Sequence, residues 1–167
     1  MKKKEIINMD ELDPQFKYEI ASQPGGEHIL KCVQCATCSS GCPVASVSDK
    51  FNPRRIIRMA VLGLKDTVLK EDFVWYCAGC YTCSERCPQD VRIPDLMAAI
   101  RNIAVKEGCI HPAYREQGRL IGELGRLYEV TEFENERREK LGLPKVKEKN
   151  KEIAEIYGCT GIGKVVL

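Results

Sequence analysis

Two copies of one four-cysteine pattern constrain this chain more than anything else in it. Cys32, Cys35, Cys38 and Cys42 precede Pro43, and Cys77, Cys80, Cys83 and Cys87 precede Pro88, so both copies read C-x2-C-x2-C-x3-C-P. Every cysteine of the second copy follows its counterpart by the same interval, from 32 to 77 and from 42 to 87. This is the spacing of bacterial-type iron–sulfur runs, in which the fourth cysteine serves the other cluster of a two-cluster protein. Three thiolates on two tight turns can wrap one corner of a cubane. The residue before a proline is pushed into extended conformation and cannot continue that wrap. The spacing therefore predicts one cluster on Cys32, Cys35, Cys38 and Cys87 and a second on Cys77, Cys80, Cys83 and Cys42.

Other uses of eight cysteines fit less well. Structural zinc prefers two separated ligand pairs closing one tetrahedron, whereas here three cysteines crowd together and a fourth follows closely, twice. Disulfides are disfavoured because Lys2–Lys4 is followed by Glu5 and Asn8 rather than by the apolar run of a secretory signal, and cytosolic thiols stay reduced. No βαβ pattern surrounds either motif to mark a thiol–disulfide exchange site. No stretch approaches the ~18 to 20 apolar residues that span a bilayer, so the chain is expected to be soluble and cytoplasmic. The formal charge of +2 falls to about −2 once two clusters of about −2 each are bound. Basic residues are interleaved with acids, which excludes a nucleic-acid footprint.

The segments around the motifs read as helices. Asp13-Pro14 resembles a cap followed by a first-turn proline, opening a short helix through Phe16, Ile20 and Ala21 that stops before Pro24-Gly25-Gly26. His28 stands close to Cys32 and is read as a neighbour of the site rather than a ligand. Between the motifs, Asn52-Pro53 starts a helix with Ile56, Ile57, Ala60, Val61 and Leu64 at helical spacing, and Asp66 to Lys70 forms a second. The bulk of Phe73, Val74, Trp75 and Tyr76 is expected to shield the clusters from water. After the second motif, Ile93-Pro94-Asp95 opens a helix with Leu96, Ala99, Ile100, Ile103 and Ala104 on one stripe, ending at Gly108. A small βαβ ferredoxin would have a shorter, strand-bearing connection. The helical connection predicts an all-α two-cluster domain in which motif and helix repeat about a pseudo-two-fold.

The expected division is an N-terminal arm and short helix at 1–27, the cluster domain at 28–108, and at 109–167 a helical extension that contacts other subunits. In the extension, Pro112 opens a helix whose Gly118, Gly122 and Gly125 share one face. Each glycine costs a helix about 1 kcal/mol against alanine, so the face is read as a place of close backbone approach, by another helix of this chain or by a partner, and is nominated as a partner contact. Thr131-x-x-Glu134 is a capping box starting a charged helix that ends near Gly142. A last helical stretch runs from Lys151 to Tyr157. Cys109 and Cys159 stand outside the motifs and are read as incidental thiols.

The twin motifs, helical spacer and short chain resemble the C-subunit family of heterodisulfide reductase, α-helical ferredoxin-like proteins of methanogenic archaea. The resemblance covers roughly residues 13–167, with the cysteine spacing as its specific part. It implies two [4Fe–4S] clusters on the eight motif cysteines and no catalytic residue. The implied role is an electron relay from a flavin-containing A subunit to a B subunit that reduces the mixed disulfide of coenzyme M and coenzyme B, with a hydrogenase as a further partner in a larger complex. The spacing alone also fits iron–sulfur subunits of flavin-linked dehydrogenases such as the glycerol-3-phosphate and succinate enzymes. Residues 1–31 lack the [2Fe–2S] motif of the succinate type, and the chain lacks the adjacent cysteine pairs of a disulfide-cleaving subunit.

Overall fold

The computed structural model describes residues 7–166. Among these residues the protein is all-α, with no strand, as the helical periodicities predict. The first six residues of the charged arm lie outside the described residues; Met9–Glu11 forms a single 3-10 turn capped by the Asn8 side chain. The chain divides after Cys109 into two compact units.

In chain order the first unit contains α1 (Phe16–Ala21), α2 (Thr37–Ser40), α3 (Pro53–Leu62), α4 (Lys65–Lys70), α5 (Thr82–Glu85) and α6 (Ile93–Lys106). Helix α6 is the axis of its core: Leu96, Met97, Ala99, Ile100 and Ala104 are fully buried and Ile103 nearly so. Helix α1 packs against α3 and α6 and places Phe16 and Ile20 at full burial, which makes it part of this core. Ile56, Ile57 and Ala60 of α3 and Val68 and Leu69 of α4 complete it.

Local chemistry sets the helix ends. Asp13 does not cap α1 directly; its carboxylate accepts the Gln15 N–H at 2.8 Å in a turn that precedes the helix. The Asp13 N–H donates to the Gly63 carbonyl at 2.8 Å. Gly63 ends α3 at φ +88°, and a Cβ there would collide with the Asp13 carbonyl, so conformation and close approach both demand glycine. Asn52 caps α3 as expected, its side chain accepting from the Arg55 N–H at 3.0 Å ahead of Pro53 at the first helical position. Lys65 reaches Glu19 at 2.9 Å and Glu107 at 3.0 Å, joining α1 to the end of α6. Those two hydrogen-bonded carboxylates push its pKa up to about 12. The stabilisation from this raised pKa is complete below the ordinary lysine range and is lost only as pH rises towards 12.

The second unit carries α7 (Pro112–Leu124), α8 (Glu132–Lys140), α9 (Lys151–Thr160) and α10 (Gly163–Val166). The Thr131–Glu134 capping box forms as read from the sequence. Buried Asn135 donates to the Val146 carbonyl at 3.0 Å and accepts the Val146 N–H at 2.9 Å, which turns the chain back after α8. The glycine face of α7 is a correction to the expectation of a partner contact, because α9 of the same chain occupies it. A Cβ on Gly122 would lie 3.0 Å from the Tyr157 ring, and Gly125, at φ +68°, ends α7 with its backbone against Asn150. The Asn150 N–H donates to the Leu124 carbonyl at 2.8 Å, which fixes this close approach. Helix α9 also runs through Gly158 and ends at Gly161, at φ +68°.

Because Phe16 is fully buried, Phe16→Ala should destabilise the first unit by about 3 to 5 kcal/mol. Denaturant unfolding of the cluster-loaded protein checks this; a loss below about 1 kcal/mol would show that α1 lies outside the core.

Candidate functional site

The two motifs repeat in conformation as well as in sequence. A 3-10 turn, Ile29–Lys31 or Asp72–Tyr76, leads into an extended first cysteine, Cys32 at φ −67°, ψ 111° and Cys77 at φ −61°, ψ 115°. Two positions later the backbone is left-handed, with Gln34 at φ +59° and Gly79 at φ +62°. It is left-handed again at Ala36, φ +69°, and Tyr81, φ +60°, which cap α2 and α5. Such alternation of hand gathers successive backbone N–H groups into a concavity suited to an anion, as in many iron–sulfur sites. The Tyr81 hydroxyl holds its own turn by donating to the Asp95 carboxylate on α6 at 2.9 Å.

All eight motif cysteines line two cavities. Cys32, Cys35 and Cys38 line the first together with Cys87, and Cys77, Cys80 and Cys83 line the second together with Cys42. The fourth cysteine of each motif thus stands in the wall of the other motif's cavity. Apolar side chains make up much of the remaining lining, Ile57 and Val91 at the first and Val44 and Phe51 at the second, with Ile93 at the start of α6 lining both, while Gln34, Thr37, Arg54 and Gln89 add polar groups to the first. The expected shield of residues 73–76 is a correction. Val74 and Trp75 are buried, but none of the four lines either cavity, because their turn packs on α4 and α6.

Three features near the cavities had no clear signal in the sequence. Positions 41 and 86 are counterparts in the repeat and meet at the α2–α5 contact: a Cβ on Gly41 would lie 2.5 Å from Arg86 Nη1. Contact between counterpart positions is what a pseudo-two-fold requires. The Ser39 hydroxyl donates to Asn52 Oδ1 at 2.8 Å and accepts the Arg54 N–H at 3.1 Å, pinning the first motif to the start of α3. His28 Nδ1 lies 2.7 Å from the Asp90 carbonyl oxygen, joining the lead into the first motif to the loop after the second.

The thiols differ by environment. Cys35 and Cys80 are exposed, and the hydroxyls of Thr37 at 3.3 Å and Thr82 at 3.6 Å lower their pKa values. Burial raises that of Cys38 and pushes Cys83 up to about 11. Thiolate is the form that binds metal, so the exposed pair is the readier to ligate and the buried pair must release its protons as metal binds. Among the described residues, no group of three or more histidine, cysteine or acidic side chains is disposed to hold a single metal ion. Four thiols around each of two largely apolar hollows is the donor chemistry of a cubane.

An all-α frame with paired four-cysteine cavities defines a two-cluster iron–sulfur protein of the helical ferredoxin class. Residues 28–91 match the model of the 4Fe-4S dicluster domain. The chain is 37% identical to an iron–sulfur C subunit of the CoB–CoM heterodisulfide reductase of Methanocaldococcus jannaschii, over 83% of this chain and 77% of the relative. It is 32% identical to the C subunit of the H2:CoB–CoM heterodisulfide, ferredoxin reductase of Methanothermobacter thermautotrophicus, over 96% and 90% of the two chains. With the C subunit of the ferredoxin:CoB–CoM heterodisulfide reductase of Methanosarcina mazei it shares 38% identity over 74% and 75%. The chain belongs to the family of heterodisulfide reductase C subunits.

The left-handed conformation of Ala36 predicts that Ala36→Gly leaves the fold intact and raises stability by up to about 1 kcal/mol. Ala36→Val should lower it by at least about 1 kcal/mol, since a β-branched residue tolerates that region worst. Thermal unfolding of the two variants should show melting temperatures displaced in opposite directions.

Proposed function

We propose that this protein is the electron-relay subunit of a heterodisulfide reductase complex. Cys32, Cys35, Cys38 and Cys87 hold one [4Fe–4S] cluster and Cys77, Cys80, Cys83 and Cys42 the other. The observation that carries the reading is the exchange of the fourth cysteine between the two cavities. When bound, the clusters supply one-electron chemistry with no bond making at the protein. The chain itself supplies the thiolates, the apolar lining that keeps water away, and the backbone turns that hold the sulfurs in place. It has no substrate site. Its donor is the flavin-containing A subunit, its acceptor the B subunit that reduces the coenzyme M–coenzyme B heterodisulfide, and a hydrogenase is one source of electrons upstream. The names of the relatives support this division, sharing the CoB–CoM heterodisulfide while one names H2 and another ferredoxin as donor.

The second unit holds the partner subunits. It buries few side chains, whereas Leu127, Tyr128, Phe133, Leu141 and Ile156 are each more than half exposed. Such a concentration of uncovered apolar surface fits contact with other subunits. Among the described residues no helix is long and apolar enough to cross a membrane. We place the complex in the cytoplasm, where free thiols persist.

The loaded chain should be brown and contain about eight irons, the content of two cubanes; zinc without iron would overturn the proposal. Cys42→Ser should alter the EPR signal of the cluster on Cys77, Cys80 and Cys83 and leave the other unchanged, while damage confined to the first motif would refute the exchange. A chain ending at Cys109 should keep both clusters yet lose co-purification with the A or B subunit, and retention of both partners would show that the second unit is not their anchor.

A further inference from the structure

The two cavities match in donor set and differ in what their sulfurs receive. Counterparts can be compared pair by pair along the repeat. Cys35 and Cys80 each have a threonine hydroxyl beside them, so this pair contributes no difference. Ser39 lies 3.9 Å from Cys38, but its one proton goes to Asn52 Oδ1, so it supplies no donor to the sulfur. The remaining pairs are unequal. Gln34 Nε2 donates to Cys32 Sγ at 3.3 Å, whereas the counterpart of Gln34 is Gly79, which has no side chain. The Val91 N–H donates to Cys87 Sγ at 3.4 Å, whereas its counterpart, the Ser46 N–H, donates to the Cys42 carbonyl oxygen at 3.1 Å. Both additional N–H donors serve the first cavity. Arg54 lines that cavity too, and no lysine or arginine lines the second.

Gln34 stands at its position against local preference. Its backbone is left-handed, which glycine tolerates far better, and its Oε1 is buried without a partner. Glycine, the counterpart at position 79, would remove both penalties and with them the hydrogen bond to Cys32. An N–H donated to a ligating sulfur stabilises the more negative reduced state, and a nearby cation acts in the same direction.

We propose that Gln34 is a potential-setting residue: together with the Val91 N–H, its amide makes the first-motif site the more easily reduced of the two. The first electron taken up by the chain therefore resides at that site. The electron arrives singly from the donor subunit, or in vitro from dithionite, which is oxidised in turn; Gln34 itself exchanges neither electron nor proton. This inference rests on the crossed ligand assignment above.

The test is an EPR-monitored potentiometric titration of the cluster-loaded full chain, with signals assigned through Cys42→Ser and Cys87→Ser. In the wild-type protein the first-motif cluster should be reduced at the higher potential. Gln34→Gly, which suits the left-handed backbone, should move that cluster's midpoint downwards while iron content and the other midpoint stay constant. Gln34→Met removes the donor but keeps the side-chain length, and should give the same displacement. Placing a donor in the second site by Gly79→Gln should move the second midpoint upwards. First uptake at the second-motif cluster, or an unchanged first-motif midpoint in both Gln34 variants, would overturn the proposal. A Cys42→Ser variant that altered the first-motif signal would instead overturn the ligand assignment, and this inference with it.

Discussion

Each cysteine cavity takes its fourth cysteine from the other motif, and the organisation of the first unit depends on that exchange. Neither cavity can close on its own half of the repeat. The turns that follow the two motifs must therefore meet, and α2 packs on α5 with Gly41 facing Arg86. The long helices begin at the same place: Pro53 of α3 and Pro94 of α6 line the second cavity, and Ile93 lies against both. Helices that start at a common centre must be braced at their far ends. Lys65, bridging Glu19 and Glu107, and the Asp13–Gly63 backbone bond provide that bracing.

The turns around the thiols hold residues in unfavourable backbone conformations. Gln34, Ala36 and Tyr81 are left-handed without being glycine, at about 1 to 2 kcal/mol each. Such strain persists where surrounding structure over-determines it. Here the Tyr81–Asp95 hydrogen bond and the apolar core between α1, α3, α4 and α6 do so. The second unit is built differently, with its large apolar side chains mostly outside. The core that sustains the strained turns and the larger share of uncovered apolar side chains thus lie in separate units.

The fold is legible in the sequence where the physics is local. The caps at Asn52 and Thr131, the stripe of α6 and the all-α class followed from side chains acting within a turn or two. Contacts made across the fold are not legible there. Residues 73–76 are as bulky as a shield requires, but the turn bearing them packs on α4 and α6. The α7 glycines do mark close approach, yet a sequence pattern cannot say whether the approaching helix belongs to the same chain, and Tyr157 of α9 is what Gly122 meets.

The sequence by itself determined the two iron–sulfur motifs, their equal spacing and the helices between them, because tight turns, prolines and helical periodicity are properties of neighbouring residues. The spacing also led to the expectation that Cys87 joins the first cavity and Cys42 the second, whereas only the tertiary structure decided that counterpart positions meet at Gly41 and Arg86 and that the N–H groups of Gln34 and Val91 reach sulfur where their counterparts do not. A repeated motif specifies the same donors twice. The path of the chain between and after the copies, longer from Cys42 to Pro53 than from Cys87 to Pro94, makes their surroundings unequal.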